Sequence, residues 1–255
     1  MARTKTRIDK LMVERGLTTS RERAQALLLA GRVLVNEQKV EKPGAAVDAE
    51  SEIRILGADL RYVSRGGLKL ERALKHWSID LTGLTCLDVG ASTGGFTDCM
   101  LQHGAAKVVA VDTGYGQIDS KLRDDPRMRL LEKTNARRLD AKIFRDEDIR
   151  FVAMDVAFIS ATLVLPAVVA AAFGDHAGAI VVLAKPQFEV GRELVGKGGI
   201  VRDEASHQFA IGKVRQSLEK VGGERIEVIE SPILGTEGNK EFLLKAQIGS
   251  RREKA

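Results

Sequence analysis

Leu87-Asp88-Val89-Gly90-Ala91-Ser92-Thr93-Gly94-Gly95-Phe96 is a strand that runs into a glycine-rich turn and then into a helix. Such a turn brings bare backbone against a ligand and aims amide groups at it. It is not the dinucleotide fingerprint, because Ser92 stands where a second glycine is needed. Asp112 ends the next predicted strand, 24 residues after Asp88. A carboxylate at that place can accept both hydroxyls of a ribose. A tight strand–helix turn followed by a surface acid is the plainer account of the same residues.

Outward from this stretch, strands and helices alternate. Strands are expected at Thr85–Val89, 107–112, 129–131, 151–155, 179–184, 225–230 and 241–246, with helices from Gly94, from Ser160 to Phe173 and from Glu204 to Val221. The alternation predicts an α/β unit built on a mainly parallel seven-stranded sheet covered on both faces. The last two strands, with a turn at 235–239, read as a terminal hairpin. Gly191 to Gly198 satisfies G-x-x-x-x-G-K but offers Gly198 where a magnesium-binding Ser or Thr is required, so it reads as a mobile loop over the site and not a nucleotide cradle.

Toward the amino terminus the pattern changes. Ile8, Leu11 and Met12 recur at helical spacing up to Gly16, and Thr19-Ser20-Arg21-Glu22 reads as a capping box with Thr19 at the cap. A second amphipathic helix carries Ala24, Leu27 and Leu28, and a hairpin follows with its turn at Asn36-Glu37. Residues 1–60 thus form one small α+β unit, 61–67 a linker around Gly66-Gly67, and 68–255 the larger domain. Seven basic residues against three acidic ones fall within the first 25 positions. Arg7, Lys10, Arg21, Arg23, Arg32 and Lys39, with Arg65 in the linker, are candidates to meet phosphates by charge. On charge alone, a solvated face explains them equally well.

The 255 residues are 44% hydrophobic and 29% charged, with a net charge of +5, which allows a buried core and favours a polyanionic partner. Cys86 and Cys99 form no disulfide framework, and the basic amino terminus lacks the apolar run of a secretory signal. The longest apolar stretch, Thr162 to Phe173, is far short of the ~20 residues of a membrane span, so a cytoplasmic protein is expected. His76, His103, His176 and His207 show no ligand spacing, and no metal is expected.

The segment RIDKLMVERGLTTSRERAQALLLAGRVLVNEQKVEKPG resembles the RNA-binding domain first known from the small-subunit ribosomal protein S-four. LDVGASTGGFTDCML resembles the donor turn of Rossmann-like, S-adenosylmethionine-dependent methyltransferases of the heat-shock ribose methyltransferase group. That resemblance implies that Gly90, Ser92, Thr93, Gly94 and Phe96, beside Asp88, wrap the methionine end, that Asp112 holds the ribose and that Asn135 reads the adenine edge. Asn135 is as readily a loop cap.

Asp155 and Lys185 end the fourth and fifth strands, and carboxyl ends of parallel strands face the ligand crevice. Together with Lys69 and Glu241 they resemble the Lys-Asp-Lys-Glu tetrad of ribose 2′-hydroxyl methyltransferases, and the whole chain resembles the TlyA, or hemolysin A, family. The resemblance implies methylation of cytidine ribose in ribosomal RNA or ribosomal subunits, with Lys185 as general base, Asp155 and Glu241 orienting the lysines and Lys69 helping to place the RNA. Ala157 stands where that family's pattern leads one to expect serine. A non-catalytic ribosome-assembly factor and a membrane-lytic protein are the rival classes; a base or protein methyltransferase fits poorly, since Val-Ala-Phe follows Asp155. Oligomeric state is not legible.

Overall fold

In the computed structural model the chain separates into two compact units, Met1–Arg61 and Tyr62–Ala255. The structure describes residues 5–18, 20–56, 61–174, 176–235 and 238–249. The first unit comprises β1 (Lys5–Arg7), α1 (Ile8–Glu14), α2 (Arg21–Leu29), β2 (Val33–Val35), β3 (Gln38–Lys39), β4 (Ala46–Asp48) and β5 (Ile53–Ile55). Ile8, Leu11, Met12, Leu27, Leu28 and Val33 close its core, where the two apolar helix faces meet the inner residues of β2. β2 lies between β3 and β5, all antiparallel, and Asn36 and Glu37 turn the hairpin with φ of 48° and 64°. Those two left-handed residues match the twist that a two-residue hairpin turn requires. β1 pairs with β4 and was not expected, because three residues are too few to show alternation.

The cap of α2 is Ser20, whose hydroxyl accepts from the Arg23 amide at 3.2 Å. The expected cap, Thr19, lies outside the described residues.

The second unit runs α3 (Gly66–His76), β6 (Thr85–Val89), α4 (Gly95–Gln102), β7 (Lys107–Val111), α5 (Ser120–Arg123), β8 (Met128–Leu131), β9 (Ile149–Met154), α6 (Leu165–Ala172), β10 (Gly178–Ala184), α7 (Pro186–Glu189), α8 (Glu204–Lys220), β11 (Gly223–Glu230) and β12 (Phe242–Ile248). Among the described residues its sheet has seven strands in the order β11-β12-β10-β9-β6-β7-β8. Only the pairings of β12 are antiparallel, so the terminal hairpin is present as expected. Two apolar layers, one on each face, bury the central strands. From β6 the chain proceeds outward through β7 and β8, then returns to place β9 on the other side of β6. The crevice outside the carboxyl ends of β6 and β9 is therefore the topological switch point, where open α/β sheets bind ligands.

Two expectations need correction. Residues 62–67 belong to the second unit: Tyr62 is 1% exposed, the Val63 amide donates to Asp98 Oδ2 at 2.7 Å, and α3 begins at Gly66, inside the expected linker. A β-carbon at Gly67 would lie 2.3 Å from the Tyr62 ring, so this glycine serves close packing and not flexibility. The helix expected over Ser160–Phe173 is broken into a 3-10 turn at Ala161–Leu163 and α6, with Pro166 in the first turn of α6. No helix among the described residues is long and apolar enough to cross a membrane.

Candidate active site

The glycine turn after β6 is held in shape by close approach. Gly90 has φ of +87°, and a β-carbon there would stand 2.3 Å from the carbonyl oxygen of Asp155. The Asp155 amide in turn donates to the Val89 carbonyl at 2.9 Å, so β6 and β9 stay in contact past their last paired residues. Gly94 is also left-handed, φ +95°, and Leu122 packs where its side chain would be.

Beside this turn lies a cavity of about 520 Å³ walled by Gly90, Ser92, Asp112, Gly114, Asn135 and Asp155, with Phe158 at one side. Both oxygens of Asp112 are fixed by backbone donors, Oδ2 by the Ser92 amide at 2.8 Å and Oδ1 by the Gly114 amide at 2.6 Å. The carboxylate is thus oriented while keeping lone pairs for a further donor. Asn135 both lines the cavity and caps a 3-10 turn, its Oδ1 accepting from the Arg137 amide at 3.0 Å.

Other expected ligand residues lie elsewhere. Thr93 and Gly94 shape the turn without joining the cavity wall, and Phe96 is buried in the core near Gly66. Asp88 is fully buried behind the turn, where its Oδ2 accepts from the Thr97 hydroxyl at 2.6 Å and its Oδ1 has no partner. Burial pushes its carboxyl up to about 7; the Thr97 bond opposes this and the negative charges of Asp155 and Asp112 add to it. The Val156–Phe158 run after Asp155 also lines the wall, as do Thr113, Gln117, Thr134 and Ile159, which were not singled out by sequence. Phe158, φ +63° and 92% exposed, carries its ring 5.6 Å from Phe188.

The four expected catalytic residues form two ion pairs. Lys185 Nζ is 2.5 Å from Asp155 Oδ1 without the alignment of a hydrogen bond, and Lys69 Nζ donates to Glu241 Oε2 at 2.5 Å. Asp155 follows β9 and Lys185 follows β10, while Glu241 precedes β12. Since Ala184 pairs with Phe242, Lys185 and Glu241 sit opposite one another at the same sheet edge. Glu241 is 3% and Lys69 8% exposed, so neither is the ordinary surface charge that its sequence context permitted. Gly235 leaves room for the Glu241 carboxylate, since a β-carbon there would meet Oε1 at 2.6 Å.

Just past the Gly191–Gly198 loop the chain is tied to Asn239. Asn239 accepts from the Val201 amide at 2.9 Å and donates to the Gly199 carbonyl at 2.8 Å. Among the described residues no three His, Cys, Asp or Glu side chains gather to hold a metal.

In the first unit the basic candidates divide. Arg7 and Arg21 are exposed but both grip buried Asp9, as does Gln25. Lys10 is exposed and Arg23 half-buried. Arg32 donates to the Leu56 carbonyl at 2.8 Å, and Lys39 pairs with Glu41 across 2.8 Å. Arg65, in the second unit, is exposed just before α3.

This sheet order, with its crevice acid and two lysine–carboxylate pairs at one edge, defines a Rossmann-like methyltransferase carrying a small amino-terminal domain. Residues 62–248 match the family described as FtsJ-like methyltransferase, and residues 6–53 match the S4 domain. The 16S/23S rRNA (cytidine-2'-O)-methyltransferase TlyA of Mycobacterium tuberculosis is 42% identical over 96% of this chain and 90% of its own length. Hemolysin A of Brachyspira hyodysenteriae is 39% identical over 93% of this chain and 98% of its own. A solved structure from Streptococcus thermophilus superposes with a TM-score of 0.75 at 42% identity, covering 97% of this chain and 90% of that one. The chain belongs to the TlyA group of FtsJ-like methyltransferases.

Proposed function

We propose that the protein methylates the ribose 2′-hydroxyl of a cytidine in ribosomal RNA, using S-adenosylmethionine as donor. The reading is carried by the two ion pairs, Lys185–Asp155 and Lys69–Glu241, standing at the edge of a cavity that Asp155 itself lines. The residues present suit the donor. The cavity volume falls in the roughly 300–1,000 Å³ range of small-molecule sites, Asp112 is a fixed acceptor for ribose hydroxyls, and Asn135 offers an amide to a base edge. When bound, the donor supplies an electrophilic methyl group.

The chain's own residues do the rest. A ribose hydroxyl attacks only as its proton leaves, and Lys185 takes that proton once it has itself released one. Asp155 holds Lys185 at the cavity wall, Glu241 holds Lys69, and Lys69 places the RNA. Asp88 supports the glycine turn from behind, with no direct part in holding the donor. The S4 domain, with Arg7, Lys10, Arg21 and Arg23, supplies sequence-independent grip on phosphates. This substrate places the protein with ribosomes in the cytoplasm.

Tritiated methyl transfer to purified ribosomal subunits and to naked ribosomal RNA tests the reading. Counts resistant to alkaline cleavage at a single linkage are expected, absent with Lys185→Ala although donor affinity persists. Asp112→Ala is expected to weaken donor binding. Label that enters no RNA, or turnover retained in Lys185→Ala, would overturn the assignment concerned.

A further inference from the structure

The Lys185–Asp155 contact is close in distance but not aligned as a hydrogen bond. Its two members also hang on different crossings of the sheet, one after β9 and the other after β10. β9 and β10 pair as far as Met154 and Val182, and the residues past those ends need a tie of their own. Glu189 lies four residues after Lys185, at the end of the single turn of α7, where the Phe188 amide donates back to the Lys185 carbonyl at 2.9 Å. Its carboxylate is 2% exposed and reaches across to the other crossing. Oε2 accepts from the Ser160 hydroxyl at 2.5 Å and Oε1 from the Ala161 amide at 2.6 Å. Ser160 and Ala161 close the Asp155–Ile159 run that walls the cavity.

A buried carboxylate is costly unless its acceptors are filled and its charge is met. Here the two acceptors are filled by the Asp155 crossing. The charge is met by Lys213 of α8, whose Nζ lies 3.6 Å from Oε2 and donates to the Glu189 carbonyl at 2.7 Å. Removing that carboxylate alone would strand the Ala161 amide and Lys213, at a cost in stability. A carboxylate with both oxygens committed to one turn of the neighbouring crossing also fixes direction and distance. The Phe158–Phe188 ring contact spans the same two crossings on the exposed side.

We propose that Glu189 is a positioning residue for methyl transfer, a staple that holds Asp155 and Lys185 in register through the Ser160–Ala161 turn. The inference rests on the reading of Lys185 and Asp155 given above. Five chains are compared: wild type, Glu189→Ala, Glu189→Gln, Ser160→Ala and the Glu189→Ala/Ser160→Ala double variant. Steady-state transfer to ribosomal RNA, thermal melting and the rate of Lys185 acylation by an amine-selective reagent, read by mass spectrometry, are measured for each.

Glu189→Ala is expected to lose about ten-fold or more in kcat, since an ångström-scale misplacement costs up to ~100-fold, with donor KM within about two-fold. Glu189→Gln is expected to keep most of kcat, because its oxygen still accepts from Ala161 and its amide can donate to Ser160. Ser160→Ala is expected to fall between, and to add nothing in the Glu189→Ala background. Lys185, 12% exposed in the native pair, is expected to acylate faster in Glu189→Ala but not in Glu189→Gln. Native kcat and native acylation in Glu189→Ala would overturn the staple, as would a glutamine variant as impaired as the alanine one. Should Glu189→Ala fail to fold, Ser160→Ala at wild-type kcat and acylation rate overturns it. A wild type that methylates no RNA would remove the functional reading, while the acylation rates still decide the staple.

Discussion

Asp88 places a carboxyl group where a charge meets no water, and only one of its oxygens has a partner. Its folded value of about 7 stands above the ~3.9 of an unfolded chain. Between those two pH values the folded protein keeps a proton that the unfolded chain has released, so stability falls as pH rises from about 4 to about 7 and is flat above. Asp88→Asn removes this slope. Its stability relative to wild type, from urea unfolding at pH 5 and pH 8, is expected to improve at the higher pH by a few kcal/mol, at ~1.4 kcal/mol per unit. A pH-independent difference would show that Asp88 is ionised throughout. Gly90 makes the second residue-scale argument. Gly90→Ala meets backbone, which cannot swing aside, and must hold φ near +87°. A loss of roughly 1–3 kcal/mol from overpacking, plus ~1–2 from the left-handed backbone, is expected in melting experiments. Turnover should fall further than stability, because the displaced atom belongs to Asp155. Wild-type turnover in this variant would show the close approach to be dispensable.

At the scale of elements, α1 and α2 share one carboxylate. Asp9 is fully buried, takes two bonds from Arg7 and one each from Arg21 and Gln25, and is held well below the usual carboxylate range chiefly by the Arg7 bonds. Charge counting says that Asp9→Ala should strengthen binding to a polyanion, since it removes a negative charge. The geometry says the opposite, because both guanidinium groups lose the anchor that orients them. RNA affinity of Asp9→Ala, read by anisotropy at fixed salt, is expected to fall several-fold; a rise would favour charge counting. Apolar periodicity shows α1 in the sequence but not Asp9's role, since Arg21 and Gln25 are 12 and 16 residues away. The same division holds across the chain. The glycine turn, the acid closing β7, the alternation of strands and helices and the terminal hairpin are legible, because each rests on local spacing. The packing of Tyr62 on Gly67, the bond from Ser160 to Glu189 and the displacement of Thr93, Gly94 and Phe96 from the cavity depend on contacts that no local pattern carries. The break before α6 was written in Pro166 and hidden by the apolar run around it.

For the whole molecule, the division into two units predicts a division of kinetic roles. Lys185, Asp155, Lys69 and Glu241 lie in the second unit, whereas most of the basic candidates lie in the first, where seven basic residues face three acidic ones within 25 positions. Only 4% of the chain is aromatic, so charge and shape outweigh base stacking as a source of affinity. Binding by charge releases counterions, and KM for ribosomal RNA should therefore rise linearly on a log–log plot against salt. In Arg7→Ala/Arg21→Ala the expected changes are a higher KM for RNA at 0.1 M salt and a slope smaller by roughly 0.7–0.9 for each phosphate left unneutralised. The kcat at saturating RNA and the KM for donor should stay at wild-type values, because neither arginine belongs to the unit that holds the reacting groups. A fall in kcat would mean that the first unit shapes the chemistry as well as the grip. An unchanged salt slope would mean that Arg7 and Arg21 serve only to neutralise Asp9, and the grip on phosphates would then have to come from Lys10, Arg23 and the exposed basic residues of the second unit.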